Sequence, residues 1–225
     1  MDKLSCVWIS LVALLRKDFV EELRAKYAMG SLLMFALVTL TVVSFAVGAF
    51  HPDAAIHAAL LWITVFFTGM SGLGRGFVKE EEARTAVLLR LAATPDTVFA
   101  GKLLFNAAVM IAVTTLIYAM YIVLMGISGS LLLLYAVMLL GTLGMACGTT
   151  LLAAVVAQAG NQAMLLPVMA LPVLMPLLMV AVNASRIALE GGAPGEMLGL
   201  LAFLASFPVV IVAVSLLLFE YVWHN

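Results

Sequence analysis

The chain has 225 residues, of which 65% are hydrophobic and 10% charged, with a mean hydropathy of +1.21 and a formal net charge of −1. Soluble domains hold about 45–50% apolar and about 25% charged residues, so this composition excludes a soluble globular protein and points to the bilayer. No Lys/Arg run of phosphate-binding density occurs, which excludes a nucleic-acid surface.

The N-terminal segment opens with Lys3 and LSCVWISLVALL, a run that a secretory leader also shows. No small-x-small cleavage site follows, and the next residues are RKDFVEELRAK. Leu4, Trp8, Leu11, Leu15, Phe19 and Leu23 recur near the helical period, while Arg16, Lys17, Glu21 and Arg24 occupy the other side. This predicts an amphipathic helix over 1–27 lying in the membrane interface.

Six stretches free of Asp, Glu, Lys and Arg follow, at 31–50, 57–74, 103–125, 131–157, 163–182 and 197–219. At about 1.5 Å per residue each is long enough to cross about 30 Å of hydrocarbon. A charge at mid-bilayer costs at least about 2.5–3.5 kcal/mol, so six clean runs separated by charged or turn-rich joints predict six transmembrane helices in an all-α membrane protein. A membrane β-barrel is excluded, because its strands alternate apolar and polar residues and these runs are apolar throughout.

Lys3, Arg16, Lys17, Arg24, Lys26, Arg75, Lys79, Arg84, Arg90 and Lys102 fall on one side of such a bundle, and of the eleven cations only Arg186 falls on the other. The positive-inside rule then places both termini in the cytoplasm of a multi-pass inner-membrane protein. Residues 75–102 collect nine of the 23 charged side chains in one cytoplasmic loop. Within it Glu80, Glu81 and Glu82 precede Arg84 and Arg90, the order a helix dipole favours, and Val87, Leu88 and Leu91 supply an apolar face. A helix over 76–94 along the inner surface is expected, ended by Pro95, with the chain turning back through Gly101 and Lys102 into the third span. Arg75, Lys79, Glu80, Glu81, Glu82 and Arg84 are its candidate docking residues for a soluble partner.

The chain carries little chemistry of its own. Gly101-Lys102 is followed by Leu103 and position 96 is Asp, so the phosphate-binding loop of an ATPase is absent. Neither GxSxG nor HExxH occurs, and no carboxylate falls inside a charge-free run, which excludes an intramembrane enzyme. His51 and His57 flank the outer end of a span and read as interfacial residues, with His224 beside the C-terminus; Cys6 and Cys147 read as packing residues. Gradient-driven transport lacks the ionisable mid-membrane group it commonly uses. The energy for any work is therefore expected from a soluble ATPase that pushes on the charged surface helix and tilts the bundle.

Two spans carry marked patterns. Gly141, Gly144 and Gly148 offer small-residue contacts in the fourth, and GMSGLGRG does so at the inner end of the second. Pro167, Pro172 and Pro176 each remove a backbone donor from the fifth, which predicts a bent packing helix or a moving element. Residues 183–196 are expected to form a short outer helix or re-entrant piece with a Gly/Pro break.

Taken in order, LLRKDFVEELRAKYAMGSLLMFALVTLTVVSFAVG, LLWITVFFTGMSGLGRGFVKEEEA, LLRLAATPDTVFAGKLLFN and LLPVMALPVLMP resemble the CcmB family, the membrane permease subunits of the cytochrome c maturation ABC transporter, over nearly the whole chain. The resemblance implies six spans of the ABC-2 exporter type, an amphipathic N-terminal helix, and a coupling helix that docks on a separate ATPase, CcmA, through the acidic loop with Glu80 and Glu82. It also implies CcmC and CcmD as membrane partners and CcmE as the heme chaperone served on the periplasmic side. Trp8, Trp62 and Trp223 are isolated, and no tryptophan-rich motif with flanking histidines is present, so no cofactor is expected on this chain. Heme belongs to the assembly and ATP to the partner subunit, and a partner ATPase that works as a dimer suggests two copies of the chain. The competing readings are an ABC-2 permease for lipid or polysaccharide, and an energy-independent assembly scaffold.

Overall fold

The computed structural model describes residues 12–21, 26–47, 52–73, 94–156 and 162–224, and among these it is helical, with no strand. In chain order the helices are α1 (residues 12–21), α2 (Lys26–Val47), α3 (Ala54–Leu73), α4 (Pro95–Met125), α5 (Leu131–Val156), α6 (Gln162–Leu189) and α7 (Pro194–His224). Six of them, α2 to α7, are long and apolar enough to cross a membrane. The all-helical, multi-span architecture is the one the charge-free runs require. Residues 74–93, which include Arg75, Lys79, Glu80, Glu81, Glu82 and Arg84, lie outside the described residues, as do Cys6 and His51.

The entry to α4 differs from expectation. Pro95 begins the helix, with Thr94 extended before it (φ −71°, ψ 150°) and Asp96 in the first turn. Proline suits this position because the first helical N–H has no intrahelical acceptor to lose, and an acidic first turn complements the helix dipole. Gly101 and Lys102 are therefore not a turn but the second turn of a 31-residue helix. At about 1.5 Å per residue such a helix is about 46 Å long, more than the hydrocarbon needs, so its charged first turns reach the bilayer edge.

The outer segment also differs. No separate helix or re-entrant piece forms between Asn183 and Glu196, because α6 runs on to Leu189 and α7 starts at Pro194. Arg186 and Glu190 pair one turn apart at 2.9 Å and support this last stretch of α6. Gly191 (φ +77°) then turns the chain, and Gly192 N–H donates to the Ile187 carbonyl at 2.9 Å. The α4–α5 joint lies against the same end of α6, where Ser130 N–H donates to the Ala188 carbonyl at 2.8 Å. Gly129 (φ +128°) fits there because a Cβ would strike the Leu189 and Ala188 carbonyls.

Helix α5 sits at the centre, packed against α3, α4, α6 and α7. Every residue from Gly144 to Ala154 is buried. Small side chains make this possible: Gly, Ala, Cys and Thr let neighbours close in from all sides where lipid offers no hydrophobic drive for association. More than half of α5 is buried, against about a tenth of α7 and about a sixth of α2, which form the rim.

Candidate functional site: a charged joint and a polar seam

One face of α4 carries Lys102, Asn106, Met110, Thr114, Ile117 and Tyr121, all buried. Their spacing of four and three residues brings them into a single line along the helix. At its first end, Lys102 Nζ donates to Asp18 Oδ1 of α1 at 3.2 Å, with both side chains 6% exposed. Lys17 Nζ stands 3.9 Å from the same carboxylate oxygen and from Glu21 Oε1. Around this joint Phe19 meets Phe105 edge to face at 5.2 Å, and Leu14 lies over Gly101. A Cβ on Gly101 would be in ordinary contact, at 3.5 Å from the Leu14 Cβ.

One turn further along, Asn106 Nδ2 donates to Thr150 Oγ1 of α5 at 2.9 Å, and that hydroxyl donates to the Ala146 carbonyl at 2.6 Å. Thr142 of α5 donates to Thr114 at 3.1 Å. At the far end the Tyr121 hydroxyl donates to the His57 carbonyl at 3.1 Å and sits 3.0 Å from His57 Nδ1. The two rings also meet edge to face, with centroids 5.9 Å apart. His57 thus joins α3 to α4. In hydrocarbon, where no water competes, such interhelical bonds fix which helix faces which.

The glycines of α5 lie in the core. The Trp62 indole covers Gly141, Leu177 and Phe207 cover Gly144, and Leu174 covers Gly148. Pro167, Pro172 and Pro176 all fall inside α6, which remains one continuous helix through them; Pro172 and Pro176 are exposed. Each proline withholds the N–H that would have met the carbonyl four residues earlier, so the carbonyls of Ala163, Val168 and Pro172 lose their ordinary donors. Among the described residues no three of His, Cys, Asp and Glu come together to hold a metal ion, and Cys147 is a buried free thiol.

Sequence reasoning did not single out Asp18, Asn106, Thr150 or the His57–Tyr121 contact, and it read Lys102 as part of a turn rather than as a buried partner. The available signal was the recurrence of Lys102, Asn106, Thr114 and Tyr121 on one face of a run otherwise apolar. Asp18 gave no signal, because the amphipathic pattern of its helix assigns it to neither face.

The CcmB protein family model matches residues 9–220, almost the entire chain, including α1 to α6 and all but the last turn of α7. The chain belongs to the CcmB family. No curated protein matches it. Membership of the CcmB family makes the chain a multi-pass permease subunit of the heme exporter ABC system of cytochrome c biogenesis, a setting shared with Ccm proteins such as CcmA and CcmC.

Proposed function

We propose that this CcmB-family chain receives the motion of a separate ATPase, CcmA, on its charged loop and transmits it through the bundle to heme-handling neighbours. The work done is delivery or release of heme at the chaperone CcmE on the periplasmic side, with CcmC and CcmD beside it. ATP belongs to the partner and heme to the assembly, and this chain ligates neither. Ten of eleven cations on one side of the bundle support cytoplasmic termini in the inner membrane. A dimeric ATPase calls for two copies of the chain, in the manner of an ABC-2 exporter.

One observation carries the reading: all six runs lack the Asp, Glu, Lys or Arg that an ion gradient commonly drives, while nine of 23 charges gather between residues 75 and 102. The driving force therefore enters from outside the bilayer. The test is the double variant Glu80→Lys/Glu82→Lys in the complete assembly. ATP hydrolysis is expected to continue while cytochrome c maturation is lost and the protein stays in the membrane. Normal maturation by that variant overturns the coupling assignment. The chain reconstituted alone in vesicles is expected to move no solute, and movement without the ATPase overturns the reading as well.

A further inference from the structure

We propose that Asp18 and Lys102 are positioning residues whose ion pair pins α1 to the first turns of α4 in a single register, so that the N-terminal helix and the third span move as one body. The apolar contacts at this joint, Phe19 on Phe105 and Leu14 over Gly101, favour adhesion of the two helices without choosing where along α4 the shorter one rests. The charges make that choice. A slip of one helical turn parts the Lys102 ammonium from the Asp18 carboxylate, two nearly fully buried ions that meet at 3.2 Å in one register only, and breaking a buried ion pair is a far worse outcome than shifting an apolar contact. Buried pairs add little to stability compared with apolar side chains of the same volume; their best attested use is to specify register.

The joint is also tied onward. Asn106 follows Lys102 by one turn on the same face and donates to Thr150 of α5, the central helix. Directional contacts therefore run from α1 through α4 to the core, so a displacement of α1 reaches the centre of the bundle rather than dissipating at its rim.

The test has a geometric arm and an activity arm. The full-length chain in lipid nanodiscs, with Cys6→Ser and Cys147→Ala, carries spin labels at Val20→Cys and Leu104→Cys, both exposed positions on the two helices. Pulsed electron paramagnetic resonance is expected to give one narrow distance distribution. Asp18→Asn, Lys102→Met and the apolar pair Asp18→Leu/Lys102→Met are expected to broaden or shift it. The exchanged pair Asp18→Lys/Lys102→Asp, which leaves the number of cations on that side unchanged, is expected to restore it. An unchanged narrow distribution in the apolar pair, or failure of the exchanged pair to restore it, overturns the proposal.

The activity arm rests on the coupling reading. In the complete assembly the apolar pair is expected to reach parental membrane levels yet lose cytochrome c maturation, and the exchanged pair to regain it. Normal maturation by the apolar pair overturns the positioning role. Normal maturation by Glu80→Lys/Glu82→Lys beside loss in the apolar pair overturns the coupling reading and leaves the joint standing.

Discussion

Trp62 of α3 donates its indole N–H to Ser185 Oγ of α6 at 2.9 Å, joining residues 123 positions apart, while its ring lies against Gly141 of α5. Three helices are thus fixed by one side chain. Trp62→Phe removes the hydrogen bond and leaves the Ser185 hydroxyl buried, which is expected to cost about 1–3 kcal/mol. Gly141→Leu forces a branched side chain into the space of the indole and is expected to cost about 1–3 kcal/mol or more by overpacking. Unfolding midpoints in mixed detergent micelles measure both, and an unchanged midpoint in Gly141→Leu would contradict the packing described.

Thr68 of α3 is fully buried and its Oγ1 has no hydrogen-bond partner among the described residues. An unsatisfied hydroxyl carries its full desolvation cost, about 1–3 kcal/mol, and valine has nearly the same shape. Thr68→Val is therefore expected to raise the unfolding midpoint, against the usual direction for a core substitution. A lowered midpoint would mean that the hydroxyl is satisfied in the membrane.

The Tyr121 hydroxyl and His57 hold α4 to α3. Interhelical hydrogen bonds in membranes are worth about 0.6–1.7 kcal/mol, so Tyr121→Phe is expected to lower stability by about that amount. Because the Tyr121 hydroxyl donates to the His57 main-chain carbonyl, His57→Phe removes only the Nδ1 contact and is expected to cost less stability than Tyr121→Phe while leaving cytochrome c maturation intact. Loss of maturation at parental protein levels would assign the imidazole a chemical role.

Asn106 and Thr150 are expected to be energetically coupled. A double-mutant cycle with Asn106→Leu and Thr150→Val should give an interaction of about 0.5–1.7 kcal/mol, since the residues touch and lipid offers neither an alternative partner. Additive effects within about 0.3 kcal/mol would break the continuity of the seam at that point.

Pro172 and Pro176 lie on the exposed face of α6. Restoring N–H groups with Pro172→Ala/Pro176→Ala supplies donors to the carbonyls of Val168 and Pro172, and unsatisfied carbonyls in hydrocarbon cost several kcal/mol each. The double variant is expected to melt higher than the parent; a lower melting point would mean that the proline surface makes contacts worth more than the lost donors.

Hydropathy and charge alone determined that the chain lies in the bilayer, crosses it six times as helices, and gathers its charge between the second and third charge-free runs, because burying backbone and charge in hydrocarbon is costly wherever in the fold it happens. The family resemblance was likewise carried by local motifs. Only the tertiary structure decided which polar residues meet. Pro95 begins α4 after an extended Thr94, so Gly101 and Lys102, read as a turn, lie inside a helix whose start the charge-free run at 103–125 did not mark. Asp18 and Lys102 are 84 positions apart, and no periodicity within either helix indicates that the other will supply its counter-charge. Pairing across helices is a property of the packed bundle, since one side chain's cost or benefit is set by what the neighbouring helix presents to it.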